Sequence, residues 1–167
     1  MRAYFIHPGF RFTFWYRLCQ FLLTRPTLKL FLKLARLKYL RVQLLTGIQI
    51  PILADIDAGL YIPHPGGIVV NPGFYAGRGL YLSHNVTVGK VHSGERAGVP
   101  KVGEDVYIGP GAVLLGNVKI GDNVAVGANS VVIHDLADDS FAVGAPAKVV
   151  STEGGALLLL GEAALRK

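Results

Sequence analysis

His64 stands in the segment Tyr61-Ile-Pro-His-Pro-Gly-Gly-Ile-Val-Val70, between two prolines and ahead of two glycines. An imidazole titrates near neutral pH, so in such a rigid setting it suits general-base work. The plainer alternative is a histidine that satisfies a turn hydrogen bond. His84 follows twenty residues later, in Ser83-His-Asn-Val-Thr-Val-Gly89. It can bind a substrate, carry a second proton, or simply face solvent at a corner. His92 lies in the polar segment Lys90-Val-His-Ser-Gly-Glu-Arg-Ala-Gly98, which reads as a loop able to line a neighbouring site. His7 and His134 sit in no comparable context. No grouping of histidines and carboxylates has metal-ligand spacing, and Cys19 is the single cysteine, so neither a metal site nor a disulfide framework is expected.

The elements that carry these residues follow a six-residue grid. Ile50, Ile56, Ile62, Ile68, Phe74, Leu80 and Val86 stand six apart, and the spacing resumes at Val102, Ile108, Leu114, Ile120, Val126 and Val132. Small or apolar residues often lie two places earlier, as at Ala54, Val106, Ala112 and Ser130, and glycines follow at Gly103, Gly109, Gly121 and Gly127. Neither a helix nor a hairpin repeats with this period. The pattern predicts an all-β solenoid, a parallel β-helix of about five coils, in which three hexapeptides close one triangular turn of about eighteen residues. The sixteen residues from Val86 to Val102 exceed the grid by four, so a loop is expected to be extruded there. The solenoid domain is taken as residues 47–150.

Residues 1–46 read differently. Pro8-Gly9 opens a helical stretch dense in aromatics and leucines, Pro26 breaks it, and Thr27 can cap a second segment running to about Leu45. Residues 1–54 hold nine Lys/Arg and no acid, whereas residues 55–167 hold eight Lys/Arg against eleven acids. Arg25, Lys29, Lys33 and Arg36 form one narrow stripe, and leucines with Phe31 cover most of the remaining surface. Two readings of this basic lead stay open: a cap on the solenoid end, or a cap that also rests on an anionic inner membrane face. Nucleic acid is disfavoured, because the cations alternate with leucines rather than with stacking aromatics. Arg11 and Arg17 interrupt any secretory pattern, and the longest charge-free stretch, residues 58–77, contains three prolines and five glycines. A membrane span is excluded there, and a reducing, cytoplasmic location is expected. Residues 151–167 read as a short helix or a loose tail.

The grid, with Phe141-Ala-Val-Gly-Ala-Pro-Ala-Lys-Val-Val150, resembles the hexapeptide-repeat acyltransferases. The His64 segment, Val86-Thr-Val-Gly89, Val106 to Asn117 and Gly127 to Val132 resemble the serine O-acetyltransferases among them. That resemblance implies a left-handed β-helix, a homotrimer, and acetyl-CoA as co-substrate. It places the catalytic base on His64 and the residue that partners it on Gln49. It carries coenzyme binding onto Gly89, Lys90, Pro110, Ala128 and the Pro146–Lys148 segment, with Lys148 meeting a phosphate. His84 and His92 become candidates for binding the acceptor.

The departures from that family pattern are specific. The aspartate expected fifteen residues before the histidine is Gln49, the acid just before it is Pro63, and the Arg-His pair ahead of Pro100-Lys101 is Gly98-Val99. An amide can fix an imidazole tautomer but cannot stabilise imidazolium by charge. With three serine-recognition features missing, the expected activity is acetyl transfer to a hydroxyl of a sugar or surface-polysaccharide precursor. Serine O-acetylation is the alternative, and a non-catalytic β-helix scaffold is the reading from another class.

Overall fold

The computed structural model describes residue 4 and residues 6–154. Two helices, α1 (Pro8–Leu23) and α2 (Lys29–Thr46), precede a run of very short strands. Pro8 opens α1, and α2 ends on Gly47, whose left-handed φ of 66° lets its N–H reach the Gln43 carbonyl at 2.9 Å. Thr27 does not cap the second helix: it lies in a 3-10 turn (Pro26–Leu28), and Leu28 takes the cap position without a side-chain bond.

Three sheets form the walls of a β-helix. The first contains β1 (Ile48–Gln49), β3 (Ile68–Val70), β6 (Thr87–Gly89), β9 (Val113–Leu115) and β12 (Val131–Val132). The second contains β2 (Asp55–Ile56), β4 (Tyr75–Ala76), β7 (Lys101–Val102) and β10 (Lys119–Ile120). The third contains β5 (Tyr81–Leu82), β8 (Tyr107–Ile108), β11 (Ala125–Val126), β13 (Phe141–Val143) and β14 (Lys148–Ser151). Every pairing is parallel except β13 with β14, so the described chain completes the five coils that the grid predicts. On each wall two apolar residues point inward around one that points out, as at Ile68 and Val70 around Val69. The β14 strand covers the start of the 151–167 tail, and the rest of that expectation lies outside the described residues.

Coil lengths depart from eighteen in three places: the last coil is two residues short, Ala125 pairing with Phe141 sixteen positions on, and two earlier coils are longer. Gln49 pairs with Val69 and Tyr61 with Tyr81, each twenty positions on, whereas Val69 pairs with Thr87, eighteen on. The two surplus residues therefore lie between Tyr61 and Val69, at the corner that carries His64. The second surplus follows β6: Thr87 pairs with Val113, twenty-six positions on, so the loop holds eight extra residues rather than the four expected. The six-residue count missed this because the first surplus slides the grid. Ile50, Ile56 and Ile62 are the second inward residue of their walls, and Ile68, Phe74 and Leu80 are the first.

The helices close the open end of the solenoid. The first coil has no neighbour on its outer side, so half its backbone groups would lack ladder partners. Side chains replace them. Tyr39 and Gln43 donate to the Ile50 carbonyl, Tyr16 and Gln20 to that of Ala54, and Arg17 to those of Ile56 and Asp57. Contact is close enough that a Cβ on Gly9 would lie 1.9 Å from the Ile62 carbonyl oxygen, which only glycine avoids. Burial pushes the Tyr16 phenol up to about 12 and raises Tyr39 as well.

These two tyrosines generate a pH prediction. Each phenol ionises near 10 in the unfolded chain and higher in the folded one. Their contribution is therefore fully present below pH 10 and is lost as pH climbs from there towards 12. Tyr16→Phe with Tyr39→Phe should cost about 2 kcal/mol at pH 7 by removing one of the two side-chain donors on each of two carbonyls, Gln20 and Gln43 keeping the other. The same variant should lose less of its remaining stability than the parent between pH 10 and 12. Thermal melts across that range check both signs; a steeper alkaline loss in the double variant contradicts the assignment.

Candidate active site

His64 occupies the bulged corner between the third and first sheets and is exposed. Pro63 and Pro65 restrict its flanks, and the chain turns back through Gly66 (φ 112°) and Gly67 (φ 63°). One coil on, Asn85 adopts a left-handed φ of 58° and donates its N–H to the Gly66 carbonyl at 2.9 Å. A Cβ on Gly67 would sit 2.1 Å from the Asn85 side-chain oxygen, so the bulge closes only over glycine.

His84 is half-buried directly beside this turn. Its ring lies 6.1 Å from that of His64, centroid to centroid, at an interplanar angle of 80°. Its Nδ1 is buried and has no hydrogen-bond partner. An unmet polar atom in that position is costly unless a ligand or water completes it. The next coils repeat the corner: Gly111 donates to the His84 carbonyl at 3.1 Å, and Asn129 to that of Pro110 at 2.9 Å. His64, His84, Pro110 and Ala128 thus climb one edge of the solenoid, about 4.8 Å per coil. Beside this edge, on the outer face of the third sheet, Tyr61, Tyr81 and Tyr107 follow one another, the first pair edge-on and the second tilted, with centroids 5.1 and 4.9 Å apart. Burial, then the neighbouring phenols, raises the Tyr81 pKa.

The remaining candidates lie elsewhere. Gly89 and Lys90 are at the opposite ends of the first-sheet strands, where the eight-residue surplus leaves the solenoid. Val91 bridges Gly98 in an antiparallel hairpin, with His92 exposed near its base. Asn117 donates to the Arg96 carbonyl at 3.0 Å, and the Arg96 guanidinium contacts His134 Nδ1 at 2.9 Å. The loop therefore folds along the second edge towards the last coils. Lys148 is exposed at the start of β14, after a turn in which Ala147 donates to the Val131 carbonyl at 2.8 Å. Gln49 is exposed on the first sheet, and no hydrogen bond joins it to His64; the ring that meets His64 is His84. Among the described residues no three His, Cys, Asp or Glu side chains gather as metal ligands would.

The sequence places His84 one coil from His64 and reads residues 90–98 as a loop that lines a neighbouring site. In the folded chain His64, His84, Pro110 and Ala128 share one edge of the first sheet, with Lys148 beside Val143 at the same corner. Gly89, Lys90 and His92 lie at the other edge and Gln49 on the face between, so a site that uses both edges must be assembled from two copies. The contact of Arg96 with His134 has no periodic mark in the sequence. The available signal was the Glu95-Arg96 pair shortly before Pro100-Lys101, offset by two residues from the position at which the family places its cation.

Residues 100–134 match the family described as bacterial transferase hexapeptide (six repeats). A serine acetyltransferase of Helicobacter pylori (strain J99 / ATCC 700824) is 35% identical over 148 residues, which is 89% of this chain and 84% of that protein. The chain belongs to the serine acetyltransferase family. It is an acyltransferase, and its β-helix is left-handed, as the resemblance implied. Soybean serine acetyltransferase complexed with serine superposes with a TM-score of 0.75 at 32% identity, over 89% of this chain and 59% of that one. A serine acetyltransferase in complex with CoA gives 0.71 at 30% identity, over 86% and 57%. The chain thus spans under two thirds of those solved structures. The expected affiliation with polysaccharide O-acetyltransferases finds no support in these matches, whose relatives and solved structures are named as serine acetyltransferases.

The corner geometry yields a double-mutant test. Gly67→Ala should lower the melting temperature by several degrees, because its Cβ meets the Asn85 side chain. Adding Asn85→Gly should recover part of that loss, the rest being the strain of a side chain at φ 63°, and a strictly additive pair would contradict the contact.

Proposed function

We propose that this acyltransferase moves an acetyl group from acetyl-CoA to the hydroxyl of L-serine, with His64 as general base. The single observation that carries the acceptor is the 84% coverage of a serine acetyltransferase at 35% identity. His64 removes the hydroxyl proton as the serine oxygen attacks the thioester carbonyl, forming a tetrahedral oxyanion. The carbon–sulfur bond then breaks, the imidazolium returns the proton to the leaving thiolate, and O-acetylserine and CoA are released. His84, whose ring lies against that of His64, is suited to position that ring or to hold the acceptor. Pro110 and Ala128 offer a backbone edge for the pantetheine arm, and Gly89, Lys90 and Lys148 suit the nucleotide end. In a homotrimer, the loop of one copy would bring Arg96 to the His64 corner of the next, supplying a cation for the serine carboxylate.

A sugar hydroxyl is the second reading. No acid flanks His64 to hold an ammonium group, since the preceding residue is Pro63, and the tyrosine stack beside the corner offers an apolar ring face.

Coenzyme release with free L-serine against a panel of sugars discriminates the two. Turnover on serine at least tenfold above every sugar is expected; the reverse order moves the acceptor to a sugar. His64→Ala should reduce transfer by about a hundredfold or more while the trimer persists. Near-normal turnover in an assembled variant removes His64 from its role. Arg96→Ala should raise KM for serine by about tenfold with little change in kcat, as for a group that grips the carboxylate equally in ground and transition states.

A further inference from the structure

The two N-terminal helices use only one face each to close the solenoid. On α2, Ala35, Tyr39, Val42 and Thr46 are buried, and the opposite face carries Leu30, Leu34, Leu37 and Leu44, each exposed by 61–78%. On α1 the outward residues include Phe10, Phe14 and Phe21. Between the helices runs a groove of about 480 Å³ lined by Trp15, Leu18, Leu22, Leu28, Phe31 and Leu34, with Lys38 at its edge. So much exposed apolar surface on a folded domain marks an interaction site.

The charges define its partner. Lys29, Lys33 and Arg36 run along one side of the apolar face of α2, Lys38 lies on the other, Arg41 stands among the leucines, and no acid precedes Asp55. None of these cations is in an ion pair among the described residues, where the one such pair is Arg78 with Glu104. A second copy docked through the same face would bring two acid-free basic surfaces together, which like-charge repulsion opposes. No described helix is long and apolar enough to cross a membrane. A helix that is apolar on one face, basic along its flanks and too polar to span is the form that lies in a lipid–water interface. We infer that the outer faces of α1 and α2 form a docking surface for an anionic lipid bilayer, with Phe and Leu side chains entering the headgroup boundary and the flanking Lys and Arg meeting lipid phosphates. In a threefold assembly about an axis along the solenoid, the three helical caps face the same way, so three surfaces meet one bilayer.

The test is co-sedimentation of the full chain with phosphatidylcholine vesicles, with and without phosphatidylserine. Binding at least tenfold tighter to the anionic vesicles, falling steeply as salt rises, is expected. Lys29→Glu with Lys33→Glu and Arg36→Glu should weaken it on the order of a hundredfold. Leu30→Ser with Leu34→Ser and Leu37→Ser should weaken it at every salt concentration, and both variants should keep wild-type turnover on soluble acceptor. Equal binding to both vesicle types, or indifference to salt, overturns the proposal from the unmutated protein alone. A drop in oligomer mass for the leucine variant, with vesicle binding unchanged, assigns the face to a second copy and overturns it as well.

Discussion

A parallel β-helix must match each coil to the next, strand for strand, or forfeit its ladder hydrogen bonds. Residues beyond the coil length can then leave only at a corner. This constraint places the chemistry of the chain. Two surplus residues at the first corner turn His64 outward on a proline- and glycine-bounded bulge, and eight more after β6 build the Arg96 hairpin. Both excursions are rooted in walls whose inward residues are almost wholly buried, from Ile48 to Val132. His64, the proposed base, is therefore held by rigid neighbours while its own side chain remains exposed, an arrangement suited to acyl transfer between two bound molecules.

The same ladder creates an unsatisfied end, and the helices answer it. Tyr16, Arg17, Gln20, Tyr39 and Gln43 place donors on carbonyls that have no further strand to bond. That task fixes which faces of α1 and α2 turn inward, and so which faces remain outside with leucines, phenylalanines and unpaired cations. Fold closure and the proposed lipid surface thus share one cause. The buried tyrosines serve because a neutral phenol can donate a hydrogen bond at less desolvation cost than an ammonium group.

Much of this was legible from residue order. Thirteen apolar positions at six-residue spacing give the solenoid, the coil count and the corner loops. The loop length was misread because a two-residue surplus barely disturbs a six-residue grid: Ile62 and Ile68 are both inward, yet belong to different positions of their walls. Spacing also brought His84 next to His64, since twenty residues is the length of that one coil. It gave no warning that Gly89 and Lys90 leave from the other edge of the first sheet, because an edge is a property of the closed triangle and not of the sequence interval. Nor did it reveal Arg96, whose placement depends on a hairpin with no periodic signal.

Under the proposed function the working site spans two copies, one giving the His64 corner and the other the Arg96 hairpin. The most direct measurement is a crystal structure with CoA and L-serine bound. The account predicts the serine hydroxyl within about 2.6–3.2 Å of a His64 ring nitrogen. It also predicts the CoA arm along the Pro110 and Ala128 edge, and Arg96 of the partner subunit on the serine carboxylate. Serine bound away from His64, or a site complete within one chain, would contradict it.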